Sequence, residues 1–307
     1  MRVLLVHNPT VGTKGHHKDS IVDALRLADF KVDYVSTKDD GVKDALKDAR
    51  DLVVAAGGDG TVAYVFTHLP NRSVPIGVMP LGSANNIARS LGVAGTPQEL
   101  AEQWSIDKVR PFNLMTVDGL EHKYLCAEAF GVGVIPTLIK RRAKQKKADG
   151  PDDLRRGRDA LSEIIARAKP LDIEVNVDGE PVKGDLIGAE VLSIPFTGPA
   201  LPLAHDADPS DKLLDTIGIK PGKAHALAAW LKAPQADAPP VISARGKKIE
   251  ICWREAESRF DDEIAKAAPD WQHVTISCDE KHLRILVPRQ HPAVRKRIAN
   301  DEPANRF

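Results

Sequence analysis

Over the first hundred residues, short apolar runs alternate with segments of helical period, and this alternation narrows the fold more than any other feature. Val3–Val6, Val32–Val35, Leu52–Ala56 and Ile76–Met79 read as strands, with amphipathic helices over Ile21–Leu27, Val42–Ala49 and Val62–Leu69 between them. Such a rhythm builds a parallel sheet covered by helices. The later half reads differently. Asp172–Val177, Leu186–Ile194, Lys248–Trp253, His273–Ser277 and Leu283–Val287 are β-rich, and helices are sparser there. A chain of 307 residues suits two domains. The expected division is an α/β domain over 1–112, a β domain over 113–288, and a tail over 289–307 that has the option of returning to the first.

Lys+Arg and Asp+Glu are equal at 43 each, so no global field favours nucleic acid, which is not an expected partner. Cys126, Cys252 and Cys278 are widely spaced and read as buried structural thiols of a reducing compartment. The start, Met1-Arg2-Val3-Leu4-Leu5-Val6, enters a strand without a leader, and no apolar run nears the ~20 residues of a membrane span. The expected location is cytoplasmic, with any lipid contact peripheral to the inner membrane face. A homo-oligomer is compatible with all of this. Lys140–Lys147, followed by Arg155, Arg156 and Arg158, reads either as a solvated helix and loop or as a patch for anionic headgroups. In the second case each charge contributes about 1 kcal/mol near such a surface.

Gly57-Gly58-Asp59-Gly60-Thr61 lies between an apolar strand and a helix, at the carboxyl end where open α/β sheets bind ligands. Glycines let backbone approach phosphate oxygens, and amides at a helix start point donors at the anion. The Asp59 carboxylate beside phosphates makes sense only through Mg²⁺ or a bound water. The string arises by chance in roughly one such chain in a few thousand. A second loop, Pro80–Arg89, also follows a strand; Ser83 is its expected N-cap and Gly92 its expected helix stop. A third, Asn8–Gly15, follows the first strand. Each alone is ordinary turn chemistry, but all three fall at the carboxyl ends of neighbouring strands.

In this order the loops resemble the diacylglycerol kinase catalytic family, which includes bacterial lipid kinases and sphingosine kinases. The resemblance covers most of the chain. It implies a Rossmann-like α/β nucleotide-binding domain followed by a β-sandwich domain, with ATP and Mg²⁺ as cofactors. The implied nucleotide-binding residues are Asn8, Pro9, Thr10, Gly12, Thr37, Gly57, Gly58, Asp59, Gly60, Thr61, Ser83 and Asn85, with Asp59 also catalytic. Ala207–Asp215 resembles a metal segment, implying Mg²⁺ on the Asp211 carboxylate and the carbonyls of Asp208 and Leu213. Phe260-Asp261-Asp262-Glu263 resembles the family's Asp-Gly-Glu, implying Glu263 of the second domain as general base towards nucleotide held by the first. Lys212 and Asp262 stand where the family has Gly, a cost if either needs positive φ. Pro195–Pro202 replaces a Gly-rich loop and puts the acceptor pocket in question.

The implied reaction is transfer of the γ-phosphoryl group of ATP to a lipid hydroxyl, diacylglycerol-like. Two other readings remain: a soluble small-molecule kinase of the NAD-kinase type, and a nucleotide-binding regulator without turnover. Glu280, in Cys278-Asp279-Glu280-Lys281, is the rival base, but its tetrapeptide reads as a hairpin turn.

Overall fold

A computed structural model describes residues 1–10, 17–145, 150–234 and 237–288. The chain forms two units, one of Met1–Phe112 joined by the segment from Leu283, the other of Asn113–His282.

The first unit runs β1 (Arg2–His7), α1 (Lys18–Leu27), β2 (Lys31–Ser36), α2 (Val42–Asp48), β3 (Leu52–Gly57), α3 (Asp59–His68), β4 (Pro75–Pro80), α4 (Asn86–Ser90), α5 (Pro97–Gln103) and β5 (Val109–Phe112). Helices on both faces of a parallel sheet leave no polar alternation, and β3, the run Leu52–Gly57, is buried at every residue. The strands order as β2-β1-β3-β4 in parallel, followed by a late strand and β5. Two elements escape the periodicity: the edge strand β5, and the short α5, which is opened by a Thr96–Glu99 capping box.

The second unit runs β6 (Met115–Asp118), β7 (Tyr124–Cys126), β8 (Ala129–Gly133), α6 (Val134–Ala143), α7 (Gly150–Arg167), β9 (Ile173–Val177), β10 (Glu180–Pro181), β11 (Gly188–Leu192) and β12 (Leu214–Ile219). It continues with α8 (Ala224–Trp230), β13 (Ile242–Gly246), β14 (Lys248–Trp253), β15 (Ser258–Phe260), β16 (Glu263–Ala265) and β17 (Gln272–Cys278). Two antiparallel sheets result, β10-β9-β14-β17-β6-β7 and β13-β12-β11-β8-β15-β16. Their facing sides share one apolar core, including Phe130, Val191, Ile249, Trp253 and Ile276, which is the expected sandwich. Ile135, Leu138, Leu161, Ile165 and Trp230 of α6, α7 and α8 cover the other side of the second sheet. Its strands β8, β11 and β12 are therefore buried on both faces. Of the cysteines, Cys126 alone is fully buried.

Two expectations need correction. The strand at Leu283–Leu286, assigned by sequence to the second domain, is β18 of the first unit's sheet. It pairs in parallel with β4, Ile285 opposite Ile76, and antiparallel with β5, Leu283 opposite Phe112. Its apolar pattern specifies a buried strand but not a partner, and β4 otherwise presents an open edge. Residues 289–307 lie outside the described part. The Cys278–Lys281 tetrapeptide, in consequence, is no hairpin: it joins strands that belong to different sheets.

Candidate functional site

The order β2-β1-β3-β4 reverses direction between β1 and β3, so their carboxyl ends frame the crevice where doubly wound sheets take ligands. Backbone hydrogen bonds stitch the strand ends together across it. The Thr37 amide donates to His7 O at 2.9 Å, Asn8 N to Ala56 O at 3.1 Å, and Leu81 N to Gly57 O at 2.9 Å. Each loop is also braced internally. The Asn8 side-chain oxygen accepts from Thr10 N and Thr10 Oγ1 at 3.1 and 2.8 Å, an Asx turn that leaves Pro9 and Thr10 exposed. Gly12 lies outside the described residues.

Two glycines are needed for space rather than for φ. A Cβ on Gly57 would lie 2.4 Å from Thr61 Oγ1, and one on Gly82 would lie 2.6 Å from Gly58 Cα. The Gly57–Thr61 and Pro80–Asn86 loops thus touch backbone to backbone. Asp59 does not stand on an open loop. It is instead the first residue of α3, half-buried, and its Oδ1 accepts the Ile87 amide at 2.9 Å. That bond satisfies an amide at the start of α4, whose N-cap is Asn85 rather than Ser83. Asn85 adopts φ 49 and ψ 45, held by Gly82 N donating to its Oδ1 at 2.9 Å and its Nδ2 donating to Gly82 O at 2.7 Å. Gly92, at φ 68, does close α4, with Val93 N bonded to Ala88 O at 2.9 Å. Ser83 is half-buried in the same loop. At the far end of the edge, Thr37 Oγ1 and His7 Nε2 are buried and make no hydrogen bond among the described residues. Burial lowers the His7 pKa.

In the second unit Glu263 opens β16, exposed, directly opposite Phe260 across a tight hairpin. The Asp261 carboxylate accepts three backbone amides, from Ala127, Glu128 and Ala129, at 2.8, 2.7 and 3.0 Å. Positive φ falls on Asp261, at 51°, not on Asp262, so the missing glycine there costs nothing; Lys212, at 61°, does carry that strain. Under the hairpin lies a charge network that the sequence did not disclose. Arg259, 1% exposed, donates to Glu190 Oε2 at 2.9 Å through Nε, to Thr197 Oγ1, and to the Asp261 carbonyl at 3.1 Å; Glu128 lies 3.4 Å away. Burial pushes the Glu190 carboxyl up against the pull of Arg259. Thr197 also donates to Glu128 Oε1 at 3.1 Å, which roots the substituted Pro195–Pro202 loop in this network. A Cβ on Gly157 of α7 would meet Pro199 at 2.8 Å, so the same loop packs closely under that helix.

Two of the three groups given to Mg²⁺, the Asp211 carboxylate and the Asp208 carbonyl, already have partners. Asp211 Oδ1 accepts Leu213 N at 2.9 Å, while its Oδ2 is bound by Arg245 Nη2. The Asp208 carbonyl accepts Asp211 N at 3.3 Å. Arg245 Nε also lies 3.3 Å from Asp215 Oδ2, without hydrogen-bond alignment, and burial pushes the Asp215 carboxyl up to about 6. Mg²⁺ demands near-octahedral oxygen ligation, and a donor set already closed by a guanidinium does not fit it. The first part of the basic run is likewise paired: Lys140 with Glu257, Arg141 with Glu163 and Arg142 with Asp153, while Lys146 and Lys147 lie outside the described residues. These pairs argue for the solvated helix over the headgroup patch.

Comparison with known proteins places these features. Residues 2–117 match the family model of the diacylglycerol kinase catalytic domain. The chain is 26% identical over 236 residues to a diacylglycerol kinase of Bacillus subtilis, covering 71% of this chain and 74% of the relative. A diacylglycerol kinase of Bacillus anthracis has a solved structure similar to this one at a TM-score of 0.69 and 22% identity, over 95% of this chain and 98% of that one. An NAD kinase of Archaeoglobus fulgidus, solved in complex with ATP, is similar at a TM-score of 0.54 and 16% identity, over 97% and 99%. The α/β domain followed by antiparallel sheets is the arrangement these proteins share with the chain.

Proposed function

We propose that this chain, in which residues 2–117 carry the diacylglycerol kinase catalytic domain, is a kinase that transfers the γ-phosphoryl group of ATP to a lipid hydroxyl. The observation that carries the nucleotide side is the unbroken series of backbone bonds from Thr37 through His7, Asn8, Ala56 and Gly57 to Leu81, which fixes the loops of adjacent parallel strands as one surface. Backbone held this rigidly costs no reorganisation when it receives a triphosphate, and the start of α3 adds the positive end of a ten-residue helix dipole. A Mg²⁺ held beside the Asp59 carboxylate would supply charge neutralisation to the triphosphate. The protein's own part is to bind and orient: Asn8 to Thr10 and Thr37 on one side of Gly57–Thr61, Ser83 and Asn85 on the other. In the transfer the acceptor oxygen forms a bond to γ-phosphorus as the bridging P–O bond breaks and ADP departs. The acceptor's proton goes to Glu263, whose carboxylate is exposed at a hairpin pinned by the three bonds to Asp261.

No described helix is long and apolar enough to cross a membrane. The similarity to an NAD kinase supports a second reading, a soluble acceptor on the same fold. Radiolabelled ATP offered with a panel of lipids in mixed micelles, and with NAD in parallel, separates the two. Label in the lipid phase is the expected result. Label on NAD alone overturns the lipid reading, and ATP binding without transfer to any acceptor leaves a nucleotide-binding regulator.

A further inference from the structure

The segment that the family resemblance gives to Mg²⁺ is met by a cation from the neighbouring strand. Asp211 stands just before β12, Asp215 lies in β12, and Arg245 lies in β13, directly opposite Asp215 in the antiparallel register. From there the guanidinium reaches both carboxylates, binding Asp211 Oδ2 through Nη2 and standing 3.3 Å from Asp215 Oδ2 through Nε. The remaining donors are used inside the chain. Leu213 N holds Asp211 Oδ1, while Ser210 N and Oγ hold Asp208 Oδ1 at 2.8 and 2.6 Å. Lys212, at φ 61, takes the strained turn that brings Asp211 back towards the Leu213 amide. Side chains 34% and 31% exposed, for Arg245 and Asp211, are desolvated enough for a second cation to be in direct competition with the first.

We propose that Arg245 is the built-in counter-ion of the Asp208–Asp215 segment, a fixed guanidinium in the role of a resident Mg²⁺, and that the second unit's fold is therefore independent of divalent metal. A guanidinium held by β13 is always charged and always present, whereas a metal at this position makes the segment's order depend on the free cation. The inference does not rest on the kinase reading. It is a statement about stability, testable on the full chain without nucleotide or acceptor.

Thermal unfolding is measured for the wild type, Asp211→Asn and Arg245→Ala, each in EDTA and in a Mg²⁺ series. Mg²⁺ is expected to leave the wild-type Tm unchanged, and the loss in Asp211→Asn to be the same in EDTA and in Mg²⁺. Arg245→Ala, with the carboxylates uncovered, is expected to melt lower and to gain about 2–4 °C saturably as Mg²⁺ is added. A saturable Mg²⁺ gain in the wild type that disappears in Asp211→Asn overturns the proposal. So does an Arg245→Ala protein as indifferent to Mg²⁺ as the wild type. If Arg245→Ala does not fold, the comparison of wild type with Asp211→Asn still decides the matter.

Discussion

Replacing Asp59 by Asn leaves an oxygen where Oδ1 accepts the Ile87 amide, but removes the charge that faces the proposed phosphates. Asp59→Asn is therefore expected to melt like the wild type and to lose nearly all turnover. Asp59→Ala also strips the start of α4 of its acceptor and should lose a further 0.5–1.5 kcal/mol of stability, roughly the net worth of one such bond. Activity measured beside thermal unfolding separates the two, and unchanged turnover in folded Asp59→Asn would remove the central assignment. For the base, Glu263→Gln should keep ATP affinity and lose about 10²–10⁴-fold in turnover. Glu280→Gln, in an exposed connection between β17 and β18, should change neither. A large loss in Glu280→Gln would mean that the proton goes elsewhere. The site residues legible from sequence were those whose meaning is local, such as Gly57–Thr61 between a strand and a helix. Arg245 and Arg259 were not, because each acts through carboxylates far along the chain: Asp211 is 34 residues away and Glu128 is 131.

The β15–β16 hairpin stands on a buried guanidinium shared by Glu190 and Glu128, and that arrangement is sensitive to losing one member. Arg259→Met removes the guanidinium that pairs with Glu190 and Glu128 and leaves the buried Glu190 carboxylate without that charge, which should cost about 3–5 kcal/mol. Urea unfolding gives the number, and a loss below about 1 kcal/mol would mean that the carboxylates are already protonated in the wild type. Elements were legible in proportion to their contrast. In α7 the charges of Arg155, Arg156 and Arg158 mask a stripe of Gly157, Ala160, Leu161 and Ile165, all buried, so a core-covering helix reads as a solvated run. β8, β11 and β12 have the opposite character, buried at every residue because they are covered on both faces, with Glu190, Asp215 and Thr216 the polar side chains among them.

Across the molecule, stability should carry the signature of His7, fully buried at the end of β1 with its pKa lowered by burial. The folded state then binds fewer protons than the unfolded one, so the histidine's contribution is complete above the unfolded value of 6.5. It is lost as the pH falls from there towards the lower folded value. The wild type should lose Tm more steeply than His7→Gln between about pH 7 and pH 5, and parallel slopes would exclude this linkage. The order of the domains was legible because periodicity changes near residue 112, from strand and helix alternation to β-rich stretches. The return of β18 was not, since a strand's own pattern is silent about which edge it will complete.

That return ties the first unit to the order of synthesis. Its sheet is joined from β4 to β5 only by β18, and the whole of Asn113–His282 lies between β5 and β18 in the chain. At about 5–20 residues per second a ribosome spends on the order of ten to thirty seconds on that stretch. During this interval the first unit's sheet has every strand but β18, and by its end the sandwich has all of its own. The unit that is started first is thus the last to be finished.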